Sequence, residues 1–289
     1  MKQHTQRSKR PPSRTLAPRI LAALTAGAVT LGALPCAYAA GNFIVTSSVT
    51  EDTEVNYGVV GNIDGAPATI TVGREGYGRT PVIYTKEGYG KAVEWRNAFG
   101  TFGESNTVNA AFDVRGGRAI LRSGSLMGIF GAFGGVLNGG TAHVEGNSAE
   151  VSGGTVSWDG AASFIVARGI YGGYAHAQIL HGTQTRAEAV RNTVTMTGGA
   201  INSDVTGGSA KSDNDIAANT TTSEALAEEN TVTITGGKSV GDSYIEGGYA
   251  DARSHLGNGI SIAKALKNRV RMNTNMRTEK ITGGYTFTE

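Results

Sequence analysis

Asn230-Thr-Val-Thr-Ile-Thr-Gly-Gly237 is the stretch whose reading decides the architecture. Val232 and Ile234 alternate with Thr231, Thr233 and Thr235. A period of two fits a strand with one apolar and one polar face. The two glycines that follow can turn the backbone through conformations closed to other residues.

The stretch recurs. Asn147, Asn192, Asn230 and Asn268 are spaced 45, 38 and 38 apart, each with apolar side chains two and four residues later. Small residues precede each asparagine by five and three: Ala142 and Val144, Ala187 and Ala189, Ala225 and Ala227, Ala263 and Ala265. Gly153-Gly154, Gly198-Gly199 and Gly236-Gly237 close three of the units, and Asn106, with Val108 and Ala110, opens a weaker copy. A second glycine pair recurs in Ile170-Tyr-Gly-Gly173, Val205-Thr-Gly-Gly208, Ile245-Glu-Gly-Gly248 and Ile281-Thr-Gly-Gly284. Fixed offsets of this length are the signature of a solenoid, in which each unit buries its apolar face only by stacking on its neighbours. Two glycine corners per unit predict two coils of roughly nineteen residues each. About thirteen such coils would make a rod on the order of 60 Å long.

Composition agrees. The chain has 289 residues, with 43 Gly, 6 Pro and 1 Cys. Past residue 39, Val and Ile together outnumber Leu 37 to 7, and such β-branched side chains favour pleated surfaces over helices. Leucine-rich repeats are excluded by the missing leucine ladder, and a transmembrane barrel by strands of four to six residues where about ten are needed. A single Cys excludes a disulfide scaffold and Cys-based metal or redox motifs. The Ala-rich pieces at 223–229 and 262–267 could form short helical turns as readily as strands.

The first residues read as an address. Lys2, Arg7, Lys9, Arg10, Arg14 and Arg19 precede an apolar run from Ile20 to Leu34 and the stretch Pro35-Cys36-Ala37-Tyr38-Ala39-Ala40. Basic segment, apolar core and Ala-x-Ala site predict a secretory signal over 1–39, cleaved after Ala39, and the run is short for a bilayer span. Pro35 argues against lipidation at Cys36. Removing the signal would change 26 basic against 24 acidic residues to 20 against 24, leaving no footprint for nucleic acid. Residues 40–105 fit the repeat poorly and read as atypical coils or a cap, with a local duplication of Arg74-Glu-Gly-Tyr-Gly-Arg79 in Lys86-Glu-Gly-Tyr-Gly-Lys91. Residues 106–289 are the repeat solenoid.

No phosphate-cradling, nucleophile-elbow or zinc-protease motif occurs, so no catalytic, cofactor-binding or metal residue is assigned and the chain is not expected to be an enzyme. His143, His176, His181 and His255 are scattered and read as surface residues; His176 and His181, five apart, have the wrong interval for one strand face, and a metal pair is the alternative. Asp213-Asn214-Asp215 is the best acidic cluster, and its small polar neighbours read as a solvated loop; catalysis or calcium is the alternative. Glu228-Glu229 reads as surface charge. Trp95 and Trp158 are either carbohydrate platforms or core-closing aromatics. Tyr174, Tyr249 and Tyr285 each follow the second glycine pair and should align as a ladder, supporting a corner or offering a contact strip.

A long basic leader followed by Asn-x-Val-x-Ile-x-Gly-Gly units and Gly-Gly-Tyr-Ala corners resembles the passenger region of Gram-negative autotransporters. The resemblance spans essentially the whole chain and is architectural, since that family has no shared active-site motif. It implies an all-β, right-handed parallel β-helix on the cell surface, outer membrane or released outside, with a structural or adhesive role. The implied partners are a host cell-surface or matrix protein or a glycan, and a C-terminal translocator barrel in the outer membrane. No barrel is present here, since the sequence closes on Tyr285-Thr-Phe-Thr-Glu289, and a monomer is expected. The alternatives are a carbohydrate-active β-helix enzyme, a polysaccharide lyase or hydrolase built on Asp213 and Asp215, and a truncated fragment without independent function.

Overall fold

The computed structural model describes residues 97–105, 107–157, 168–179, 184–214, 222–254 and 259–289, together with five short strands before residue 96. The signal segment, Asn106, the duplication apart from Lys86, and Trp158 lie outside the described residues. Strands and turns account for the described residues, with no helix among them, so the Ala-rich pieces are strands.

Four parallel sheets carry the fold. A long-strand sheet is ordered β2 (Val59–Val60), β6 (Asn97–Ser105), β10 (Gly128–Val136), β14 (Gly169–Ile179), β18 (Val205–Asn214), β22 (Tyr244–Ser254) and β25 (Lys280–Thr288). An alanine sheet holds β7 (Ala110–Arg115), β11 (Gly140–Glu145), β15 (Gln184–Val190), β19 (Thr222–Glu228) and β23 (Ile260–Leu266). A threonine sheet runs β1 (Asn42–Val45), β3 (Thr69–Val72), β8 (Arg118–Leu121), β12 (Ser148–Val151), β16 (Thr193–Met196), β20 (Thr231–Ile234) and β24 (Arg269–Met272). A short sheet holds β9 (Ser125–Leu126), β13 (Thr155–Ser157), β17 (Ala200–Asn202) and β21 (Lys238–Ser239). Apart from these, β4 (Thr85–Lys86) and β5 (Glu94–Trp95) pair antiparallel.

From β6 to β22 the chain visits the long-strand, alanine, threonine and short sheets in that order and then begins again one layer up; after β23 and β24 it passes to β25 without a short-sheet strand. Val194 pairs with Val232, and Asn192 meets Asn230, 38 residues on. The repeat is therefore one layer of four strands, and the expected coils of nineteen residues are corrected. The reason is the second glycine pair. Gly172-Gly173, Gly207-Gly208 and Gly247-Gly248 lie inside β14, β18 and β22 and do not take positive φ, so the strand continues through them. Seven stacked strands span about 29 Å, half the length that nineteen-residue coils would give.

The first glycine pair does make the corner between the threonine and short sheets, with Gly154, Gly199 and Gly237 at φ 77, 84 and 103. The second serves close approach. A Cβ on Gly208 would collide with the Asn230 side chain, and one on Gly207 with the Gly247 carbonyl.

The asparagines are not the left-handed residues of their bend. Arg191, Glu229 and Lys267, one position earlier, take φ 53, 56 and 55. Asn147, Asn192 and Asn230 point inward and are buried. The Asn192 Oδ1 accepts from the Asn147 backbone N–H at 3.1 Å and its side-chain amide at 2.9 Å, while the Asn192 amide donates to the Val144 carbonyl at 3.0 Å. Asn230 and Asn268 repeat the pattern. The ladder satisfies backbone groups buried at a bend that no sheet pairs. Gly117 stands in the register position below Asn147 and donates its N–H to the Asn147 Oδ1 at 2.7 Å. The weaker copy is thus aligned on Gly117, and Val108, expected inside, is 54% exposed.

Two cores result. A wide core among the long-strand, threonine and short sheets takes Leu121, Ile129, Met196, Ile201, Val232 and Ile234. A slab between the second half of the long strands and the alanine sheet takes its apolar cluster from alanine from β14 onward, among them Ala175, Ala189, Ala210 and Ala227, with buried Thr185, Ser212 and Ser223 hydrogen-bonded at its margin. Within 42–105, β1 and β3 join the threonine sheet and β2 the long-strand sheet, so this stretch adds strands to the same stack.

Candidate functional site: the outer face of the long-strand sheet

In a strand, residues that do not enter the core point the other way. On the long-strand sheet these are unusual residues for an outer face. Phe99, Phe130 and Tyr171 stack with centroids 4.7 and 5.1 Å apart, and Phe102, Phe133 and Tyr174 at 4.9 and 5.6 Å. Edge-on contacts join the two columns, as at Tyr171–Tyr174. Phe99 and Phe130 are wholly buried. The register continues the second column through Ser209 to Tyr249 and Tyr285, which stack at 5.6 Å.

The expected tyrosine ladder therefore aligns, on a sheet face and not at a corner, with Ser209 interrupting it. Its phenylalanine half was missed in the sequence. The signal was available: Phe99-Gly-Thr-Phe102, Phe130-Gly-Ala-Phe133 and Tyr171-Gly-Gly-Tyr174 share an aromatic-Gly-x-aromatic spacing.

Beside the rings lies a charged cluster. His176 Nε2 is 3.3 Å from the Asp213 Oδ2, and Lys211 Nζ is 3.1 Å from the same oxygen. Asp213 is buried and its Oδ1 has no hydrogen-bond partner. Burial works against the Asp213 charge, but His176 and Lys211 outweigh it and hold the carboxyl below its ordinary value. One layer on, Arg253 bridges both oxygens of buried Asp251 at 2.8 Å, and the Tyr249 hydroxyl donates to Asp251 at 3.1 Å. Burial, then the Asp251 charge, raises the Tyr249 hydroxyl.

The solvated-loop reading of 213–215 is corrected for its first two residues. Asp213 and Asn214 belong to β18 and are buried, because polar side chains here find partners in adjacent layers, His176 below for Asp213 and Ser254 above for Asn214. Asp215, His181 and His255 lie outside the described residues, and His176 is placed beside Asp213.

At the start of the same strands, burial, helped by Asp204 and opposed by Lys280, raises the Glu246 carboxyl to about 7. On the outer face of the alanine sheet, His143 lies 2.8 Å from Glu188 and 3.2 Å from Glu145. The His143 hydrogen bond, then Arg186, overcomes burial and lowers Glu188 to about 2. Both described histidines thus tie one layer to the next and are not plain surface residues. Glu228 and Glu229 bind Lys267 at 3.0 and 3.2 Å.

Among the described residues no group of three or more His, Cys, Asp or Glu side chains is arranged to hold a metal ion. The phenylalanines and Tyr171 are covered, so the arrangement offers two chemistries at its open part: the partly exposed rings of Tyr174, Tyr249 and Tyr285, and paired charges able to exchange hydrogen bonds with hydroxyl or carboxylate groups. Comparison of the chain with family models, curated proteins and solved structures gives no match.

Proposed function

We propose that the chain is an exported, surface-displayed right-handed β-solenoid with a structural or adhesive role, resembling an autotransporter passenger. One observation carries this reading: layer after layer repeats in register, so each outer face presents the same column positions along the stack. Stacked folds of this kind use long surfaces for binding, and repetition lets several weak contacts act together. The partner in this reading is a host surface or matrix protein or a glycan. The basic leader and Ala-x-Ala site support export, and the translocator would be an outer-membrane barrel outside this sequence.

The test is to fractionate cells expressing the chain, then apply the exported protein to host cells, matrix proteins and glycans. Recovery outside the cytoplasm with binding to one class supports the proposal. Retention inside the cell sinks export, and exported protein that binds none of them reduces the role to a spacer.

The buried Asp213, paired with His176 yet left with one free oxygen, favours a second reading as a polysaccharide lyase or hydrolase. Polysaccharide cleavage that disappears in Asp213→Asn would establish it. No cleavage by the unaltered chain would remove it.

A further inference from the structure

Among the described residues, three buried side-chain atoms lack a hydrogen-bond partner: Asn97 Oδ1, Ser123 Oγ and Asp213 Oδ1. Only the last belongs to a charged group, and a buried carboxylate oxygen left unmatched is the costliest of the three. Asp213 is 7% exposed, and its Oδ2 already receives Lys211 at 3.1 Å and His176 at 3.3 Å. The carboxylate therefore stands among outer-face side chains with half of its accepting capacity unspent.

Unspent donors stand beside it. Lys211 uses one of its ammonium N–H groups on Asp213. Arg253, the register partner of Asp213 on β22, gives Nε and Nη2 to Asp251 at 2.8 Å, and its Nη1 has no partner among the described residues. Lys211 and Arg253 balance Asp213 and Asp251, so an anion would meet the two carboxylates and a cation the two bases. A hydroxyl oxygen both donates and accepts, and so serves Asp213 and a neighbouring base at once. A peptide carries its N–H and C=O on separate atoms that point to opposite sides of the chain. Tyr174, 6.5 Å from the His176 ring, and Tyr249, bonded to Asp251, border these groups and are partly exposed, each an apolar ring with a polar tip.

We infer that this patch of β14, β18 and β22 binds a neutral glycan, with Asp213 Oδ1 accepting from a sugar hydroxyl while Lys211 and Arg253 donate to sugar oxygens. The Lys211 and Arg253 side chains are 32% and 30% exposed, which leaves them room to shift and admit the hydroxyl to Oδ1. The inference rests on the adhesive reading and narrows its partner to uncharged sugars. A protein that binds matrix proteins but no sugar would keep the adhesive reading and lose this site.

The experiment applies the full chain to an array of neutral oligosaccharides and measures the best of them by calorimetry at low and high salt, with circular dichroism as the fold control. Residues 1–19 carry six basic side chains that would attract acidic sugars in every variant, so only neutral sugars are read. Binding to one of them, with little change between the two salt concentrations, is expected. Asp213→Asn should weaken it about tenfold or more, the loss of a charged acceptor. Glu188→Gln, on the outer face of the alanine sheet, should leave it unchanged. No binding to any neutral sugar overturns the inference and leaves Asp213 Oδ1 holding water alone. Equal affinity in Asp213→Asn and the unaltered chain also overturns it, as does an equal loss in Glu188→Gln. Should Asp213→Asn lose its fold, Arg253→Gln decides the question with the same expected weakening.

Discussion

The wide core and the alanine slab are filled from the same long strands, yet at different scales. Before its glycine pair each strand sends in a branched residue, Ile170, Val205 or Ile245; after it, alanine at 175, 210 or 250. Nothing in the strand's own propensity demands the change. What differs is the distance to the opposing wall. Three sheets surround a wide space on one side, whereas on the other the alanine sheet lies directly against the strand. Side-chain size therefore reports the spacing between sheets, and the glycine pair marks the seam where that spacing narrows over the asparagine ladder.

The comparison breaks most visibly if the wide core tolerates truncation. Ile201→Ala removes a fully buried side chain from it and should lower the unfolding free energy by about 2–5 kcal/mol in urea titrations. A loss below about 1 kcal/mol would mean the space is already loose. The reciprocal change is Ala189→Leu, which adds methylenes to a slab with no slack and should cost about 1–3 kcal/mol. Stabilisation by that substitution would show that the slab is underfilled and the contrast wrong.

The outer faces backing the two cores should separate by pH. Glu246 sits behind the wide core with its carboxyl raised from 4.5 to about 7. The folded chain then holds a proton that the unfolded chain releases, so stability should fall as pH rises from about 4.5 to 7. In Glu246→Gln this decline should flatten in melts recorded across that range, and an unchanged slope would place the titration elsewhere. Glu188, behind the slab, is lowered from 4.5 to about 2, so its contribution is complete above 4.5 and fades as pH drops toward 2. Melts of Glu188→Gln at acid pH should show the smaller effect, because the pair is partly open to water. Equal acid sensitivity with and without Glu188 would remove His143–Glu188 as a clip between layers.

Much of the fold could be read from local pattern. Thr193-Val-Thr-Met196 and Thr231-Val-Thr-Ile234 alternate as strands and pair in the register their asparagines suggest. The corner at Gly236-Gly237 also follows, since the second glycine takes positive φ. The number of residues per layer did not, because a glycine pair looks the same whether it turns the chain or admits a neighbour's side chain, and only the facing asparagine tells the two apart. The charged cluster was illegible for a related reason. Asp213 among small polar residues looks solvated until His176, contributed by the layer below, is placed beside it. Partners separated by a whole repeat leave no trace in a local window.

The asparagine ladder has a consequence for ancestry. Each amide is wired to the layers beside it through the same few atoms, so the wiring does not record which layer it belongs to. Excising residues 193–230 would join Asn192 to Thr231 and leave Asn268 again 38 positions ahead, with every row of side chains still finding a counterpart. Whole units can thus be lost or duplicated as interchangeable parts, and the length of the stack is open to selection while its cross-section stays fixed.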